Sequence, residues 1–182
     1  MRIVSGKFKG RRIEPPHNIT ARPTTDFAKE SLFNVLNNLI DFEEVSCLDL
    51  FAGTGSISLE LASRGCPSVL AIEQSDAHIA FIKKTIKMLG IETIFPLKAD
   101  VFKFLPTTSQ KFDFIFADPP YDLKILEMLP NLIFENKLLK TNGIFVLEHS
   151  KKNDFSAHPN FMQHRNYGNV NFTFFSQDIS NT

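Results

Sequence analysis

The feature that most constrains the fold is a regular alternation of short apolar runs and helical stretches between Cys47 and Glu148. Cys47–Phe51, Ser68–Ile72, Thr93–Lys98, Phe112–Ala117 and Gly143–Glu148 read as buried strands. Ser56–Arg64 and Asp76–Leu89 read as helices, stopped by Gly65 and Gly90 just past their ends. Leu123–Leu139 reads as another. In the Asp76–Leu89 stretch, Ile79, Ile82, Ile86 and Leu89 form one apolar stripe. Strands alternating with helices require right-handed crossovers, hence a mainly parallel sheet covered on both faces. Pro96 cannot donate to a ladder, so its strand belongs at a sheet edge. Farther on, Phe161–Tyr167 and Val170–Phe175 flank Gly168-Asn169, a hairpin signal. The expected class is α/β, with a mainly parallel seven-stranded sheet ending in an antiparallel C-terminal hairpin.

A chain of 182 residues, 43% hydrophobic, is long enough for a real core and argues against disorder. Residues 1–40 read as a small N-terminal extension packed on a main domain, residues 41–182. In it, Met1–Ser5 and Arg12–Glu14 suggest two short strands joined through Gly6 and Gly10. Thr24, Thr25 and Asp26 then offer N-cap chemistry for a helix carrying Ala28, Leu32, Val35, Leu36 and Leu39 on one face. The net charge is zero, but residues 1–25 hold six basic residues and one acid. Arg2, Lys7, Lys9, Arg11, Arg12 and Arg22 thus make a basic arm on an acidic body, the footprint of a polyanion-binding protein. A merely solvated leader is the alternative.

No apolar run approaches membrane-spanning length, and no secretory pattern opens the chain, so a cytoplasmic location is expected. Cys47 and Cys66 have no C-x-x-C partner, and the five histidines show no ligand spacing. The expectation is buried or incidental thiols, structural or surface histidines, and no metal.

The first strand of the alternating region runs into Asp49-Leu50-Phe51-Ala52-Gly53-Thr54-Gly55, and a helix begins at Ser56. Glycines there let backbone pass close to a ligand. The second strand reaches Glu73, 20 residues after Gly53, where an acid can hold ribose hydroxyls; Gln74 follows. The third leads to Asp100 and Val101, placed to meet an adenine amino group. The third glycine of the dinucleotide fingerprint is missing, which disfavours a nicotinamide oxidoreductase. The fourth strand ends in Asp118-Pro119-Pro120-Tyr121. An acid, two rigid prolines and an aromatic ring can clamp a flat molecule bearing an amino group, although Pro-Pro after Asp is also ordinary turn chemistry. Glu148 is either a further pocket acid or an ordinary strand end.

Asp49 to Gly55, Glu73, Asp100 and Asp118 to Tyr121 resemble, in order, the motifs of class I S-adenosylmethionine-dependent methyltransferases, which have a Rossmann-like fold. Asp-Pro-Pro-Tyr narrows the resemblance to enzymes acting on exocyclic amino nitrogens. Arg2 to Gly6, Lys9 to Ile13, Arg22 to Asp26 and Lys29 to Asn34 look like the RsmD-type bacterial 16S ribosomal RNA guanine-N2 methyltransferases. Phe27 departs from that pattern, where arginine is common, and the tail after Gly168 matches loosely.

The resemblance implies methyl transfer from S-adenosylmethionine to guanine N2, on ribosomal RNA or a 30S assembly intermediate, by a monomer. It implies a cofactor site of Asp49, Phe51, Ala52, Gly53, Thr54, Gly55, Glu73, Gln74, Asp100, Val101 and Asp118. Asp118 and the Pro119 carbonyl would localise the amine lone pair, with Pro120 stiffening the loop and Tyr121 stacking on the base. The alternatives are a DNA adenine-N6 or cytosine-N4 methyltransferase, for which the chain leaves little room for a recognition domain, and a non-catalytic RNA-binding module.

Overall fold

The computed structural model describes residues 1–16, 19, 26–120 and 126–177. The strands are β1 (Ser46–Leu50), β2 (Ser68–Glu73), β3 (Ile94–Lys98), β4 (Phe112–Ala117), β5 (Leu139–His149), β6 (Phe161–Tyr167) and β7 (Val170–Ser176). They form one sheet in the order β3-β2-β1-β4-β5-β7-β6. Strands β1 to β5 pair in parallel, while β7 runs antiparallel to both β5 and β6. Pro96 sits on β3 at the sheet edge, where its missing N–H costs no ladder bond.

The helices are α1 (Asp26–Leu36), α2 (Ser56–Ser63), α3 (Asp76–Leu89), α4 (Val101–Phe104) and α5 (Leu129–Glu135). Period-2 alternation splits the strand residues between two apolar layers. Cys47, Val69, Phe114, Phe116, Phe172 and Phe174 pack with α1, α2 and α3. Leu48, Leu50, Ile72, Ile115, Phe145 and Phe175 pack with α4 and α5. Phe112 shares parity with Phe114 yet joins the second layer, because the β4–β5 register shifts between them. Each such buried side chain contributes about 1.5–3 kcal/mol.

Two expectations need correction. The N-terminal strand pair reduces to an isolated antiparallel bridge between Arg2 and Arg12. Its backbone closes through Ile3 N–H to Arg11 O (3.0 Å) and Ile13 N–H to Met1 O (3.0 Å). So short a pairing makes no ladder, yet it buries Ile3 and Ile13 in the first layer. The helix expected over Leu123–Leu139 is, in its described part, a 3-10 turn (Leu126–Met128) followed by the two-turn α5. Pro130 fits only the first turn of a helix, so α5 starts there. Lys137 at φ 53° ends the helical run, and β5 begins at Leu139, earlier than the expected Gly143.

Cys47 and Cys66 are buried with their Sγ atoms 3.1 Å apart, and His149 is a core residue whose Nε2 meets Thr173 Oγ1 at 2.8 Å. The burial of both thiols matches the expectation.

Candidate active site

After β1 the chain goes to β2 and β3 on one side, then returns to place β4 on the other. The crevice of a doubly wound sheet opens at that reversal, outside the strands' carboxyl ends. Here those ends carry the glycine loop after β1 and Asp118-Pro119-Pro120 after β4. Asp118 N–H donates to Leu50 O at 3.3 Å, which ties the two loops together.

The glycine loop is held from below. Asp49 is 2% exposed, and its Oδ2 accepts from Ser58 N–H (3.0 Å) and Ser58 Oγ–H. That bond pins the first turn of α2 to β1. Asp49 therefore reaches the ligand side through the loop it holds. Burial pushes its carboxyl up to about 7, with the Ser58 hydrogen bonds opposing and the nearby Glu73 adding to the rise.

The turn itself is strained where the sequence allows it. Phe51 adopts φ 60°, Gly53 φ 54° and Gly55 φ 78°. A Cβ on Gly53 would meet nothing closer than Phe51 O at 3.9 Å, so space lies open beside it. A Cβ on Gly55 would press on Ile82 Cγ1 at 3.1 Å, so this glycine also serves close packing of α3. Ala52 and Thr54 are buried in the turn. Non-glycine residues in the left-handed region concentrate at functional sites, and Phe51 fits that habit.

Glu73 closes the cradle. Its Oε2 accepts from Gly53 N–H and its Oε1 from Ser75 N–H, both at 2.8 Å. Each oxygen keeps a lone pair for an incoming hydroxyl. Gln74 beside it is exposed. Asp100 caps α4, with Oδ1 accepting from Phe102 N–H (2.9 Å) and Lys103 N–H (3.2 Å). Its capping bonds all use Oδ1, which leaves Oδ2 to accept from an amino group. Val101 is buried, and the Phe102 ring lies 6.1 Å from that of Phe51. A ribose at Glu73 and an amino-bearing base at Asp100 fit this donor and acceptor set.

At the carboxyl end of β4, Asp118 is half-buried, Pro119 buried and Pro120 exposed. Tyr121 lies outside the described residues. Glu148 is buried at the carboxyl end of β5, next in the sheet to β4.

The basic arm is docked rather than free. Arg2, Lys7, Lys9, Arg11 and Arg12 are exposed, whereas Arg22 lies outside the described residues. Lys7 N–H donates to Ser63 O at 2.7 Å and Phe8 N–H to Ser63 Oγ at 2.9 Å. Gly6, at φ 77°, approaches so closely that a Cβ there would sit 1.8 Å from Ser63 O. Beneath it lies a buried ionic knot that sequence reasoning missed. Glu60 accepts from Val4 N–H (2.8 Å) and Ser5 N–H (3.0 Å), and pairs with Arg64 (3.0 Å) and Lys29 (3.6 Å). Lys29 Nζ also reaches Arg2 O and Ser56 Oγ. Burial lowers the Lys29 pKa while Glu60 opposes the fall. The available signal is position: Lys29 lies on the apolar face of α1 with Leu32, Phe33 and Leu36.

Among the described residues no cluster of metal-ligating side chains occurs, and no helix is long and apolar enough to cross a membrane.

The family model described as "Conserved hypothetical protein 95" matches residues 1–176. The ribosomal RNA small subunit methyltransferase D of Buchnera aphidicola subsp. Baizongia pistaciae is 33% identical over 148 residues, 81% of this chain and 75% of the relative. The solved Escherichia coli protein yhhF superposes with a TM-score of 0.84 at 27% identity, covering 97% of each chain. A T. thermophilus 16S rRNA N2 G1207 methyltransferase, solved with AdoMet and guanosine, shares the fold. Its TM-score is 0.70 at 22% identity, over 87% of this chain and 45% of that one.

Proposed function

The chain belongs to the Conserved hypothetical protein 95 family, and on that premise we propose that it methylates small-subunit ribosomal RNA, at the exocyclic N2 of a guanine, with S-adenosylmethionine as donor. The observation that best supports this reading is the bond between the two loops at the β1–β4 reversal, which holds the glycine loop beside Asp118-Pro119-Pro120. Relatives named as rRNA methyltransferases support the RNA substrate, and the fold neighbour's AdoMet supports the donor. Bound S-adenosylmethionine would supply an electrophilic methyl on a sulfonium centre.

The protein's part is orientation and electrostatics. Glu73 would take the ribose hydroxyls and Asp100 Oδ2 the adenine amino group. Gly53 leaves room for backbone approach. A guanine amine is a weak nucleophile because its lone pair is delocalised into the ring. Asp118 and the Pro119 carbonyl, accepting its two N–H groups, would turn that pair toward the methyl. The prolines fix φ, so the carbonyl is already placed. Tyr121 would stack on the base, which must leave its own stack to enter. Arg2, Lys7, Lys9, Arg11, Arg12 and Arg22 would hold phosphates, which position rather than specify. The substrate would be free rRNA or an assembling 30S particle, met in the cytoplasm by a monomer.

Asp118→Ala is expected to keep S-adenosylmethionine affinity by calorimetry while transfer to rRNA falls about 10²–10⁴-fold. Normal transfer by that variant would remove the clamp. Mapping methylated guanines in rRNA from cells with and without the gene tests the N2 assignment.

A further inference from the structure

The docked arm and the clamp leave one surface unused. It is an open groove of about 500 Å³ between α1 and β6, the edge strand. One wall carries Ser31, Asn34 and Val35 of α1 with Asn38 and Leu39 of the turn that follows it; the β6 wall carries Gln163, Arg165 and Tyr167 at strand spacing. Among the described residues no carboxylate lines it, and Arg165 supplies a guanidinium. At one end Phe27 is 68% exposed, with its ring edge-on to Tyr167 at 6.2 Å. So exposed a phenylalanine adds little to the core, and its place beside a groove of mixed polar and apolar lining asks for another role.

The aromatic end lies at the rim of the site. Lys29, two residues from Phe27 along α1, reaches Ser56, the first residue after the glycine loop. Tyr167 pairs with Val170, and the next β7 residue, Asn171, pairs with His149 at the carboxyl end of β5. From there the groove runs away along α1 for roughly 16 Å, at 1.5 Å per residue.

We infer that this groove is a second RNA subsite, which takes unpaired nucleotides adjoining the target guanine. Phe27 and Tyr167 stack bases at the rim. The Asn34, Asn38 and Gln163 amides offer donors and acceptors to base edges. Arg165, oriented by its bond to Gln163 Oε1 at 2.9 Å, meets a phosphate. Aromatic platforms beside a guanidinium are the means by which proteins hold single strands, and sequence-specific RNA recognition favours unpaired segments. A duplex keeps its base faces stacked, so it would present none to the Phe27 and Tyr167 rings. The inference rests on the RNA-methylation reading above and adds where flanking nucleotides lie.

The test measures binding of a fluorescein-labelled single-stranded RNA decamer by anisotropy, and methyl transfer to small-subunit rRNA, for the full chain. Phe27→Ala is expected to weaken decamer binding about five- to a hundredfold, the range for loss of a stacked base, and Arg165→Ala to weaken it with a salt slope shallower by about 0.7, as for loss of one phosphate contact. Both should raise KM for RNA far more than they lower kcat, with S-adenosylmethionine affinity kept. Phe27→Trp should restore binding. Met88→Ala, an exposed apolar residue on α3, should behave as wild type. Unchanged decamer binding by the Phe27→Ala/Arg165→Ala double variant, with wild-type transfer intact, overturns the groove alone. Unchanged decamer binding with loss of association to 30S particles assigns the groove to a protein partner and likewise overturns it. Absence of decamer binding and of transfer in the wild type overturns both readings.

Discussion

The glycine loop and the basic extension are both anchored through α2 by a buried carboxylate, and the two anchors differ in kind. Asp49 is held by the neutral donors of Ser58. Glu60 meets two cations, Lys29 and Arg64, and two backbone N–H groups. An acid without a cation beside it in a low-dielectric interior resists ionisation, so Asp49 titrates near neutrality. A buried acid that holds two cations and two backbone N–H groups makes those partners depend on it. One anchor is therefore sensitive to pH, and the other to truncation.

The largest expected effect follows from the second anchor. Glu60→Ala leaves the buried Lys29 ammonium without its counter-charge and two part-buried backbone donors without their acceptor, at a cost of about 3–5 kcal/mol. Chemical denaturation would read it, and RNA binding should fall as the arm undocks. A cost no larger than that of Asp49→Asn would break the contrast.

Next is the pH dependence of the first anchor. The Asp49 carboxyl moves from 3.8 to about 7 on folding, so the folded state holds that proton more tightly. Its stabilising share is full below the lower value and is lost as pH rises through the upper one, at a slope of up to about 1.4 kcal/mol per unit. Asp49→Asn, which keeps the shape and cannot ionise, should flatten the unliganded protein's stability profile between these limits. A profile identical to wild type would show that Asp49 is charged throughout.

The smallest effect on the fold comes from the arm's surface. Neutralising Arg11 and Arg12, both exposed, should shift stability by no more than about 0.5 kcal/mol. RNA affinity should still fall, with the salt slope shallower by about 0.7 for each phosphate no longer neutralised. An unchanged slope would mean the arm is docked for reasons other than RNA.

Much of this architecture is legible in the sequence. The parallel core, the edge position of β3, the hairpin and the paired loops follow from apolar runs, glycine stops, Pro96 and motif order, all local signals. The rest depends on tertiary placement. Four-residue α4 is too short for periodicity to reveal and exists because Asp100 caps it. The shortened α5 is signalled by Pro130, which marks a start and not an interior. The Lys29–Glu60 pairing is not legible in the sequence, because a lone residue does not disclose what faces it. Motif order sets Asp49 against the cofactor, whereas its carboxylate is spent on Ser58.

The strand order also has a temporal meaning. The cradle, from β1 to Asp100, is contiguous in the chain, but β1 meets β4 across 67 residues, as the Ser46–Asp113 bond records. Non-local pairings of this kind close late, because loop entropy is lost before contacts repay it. A chain emerging from the ribosome can therefore shape the glycine loop, Glu73 and Asp100 first. Asp118-Pro119-Pro120 joins them only after β4 has been synthesised, so the contact between the two loops is the last of this group to close.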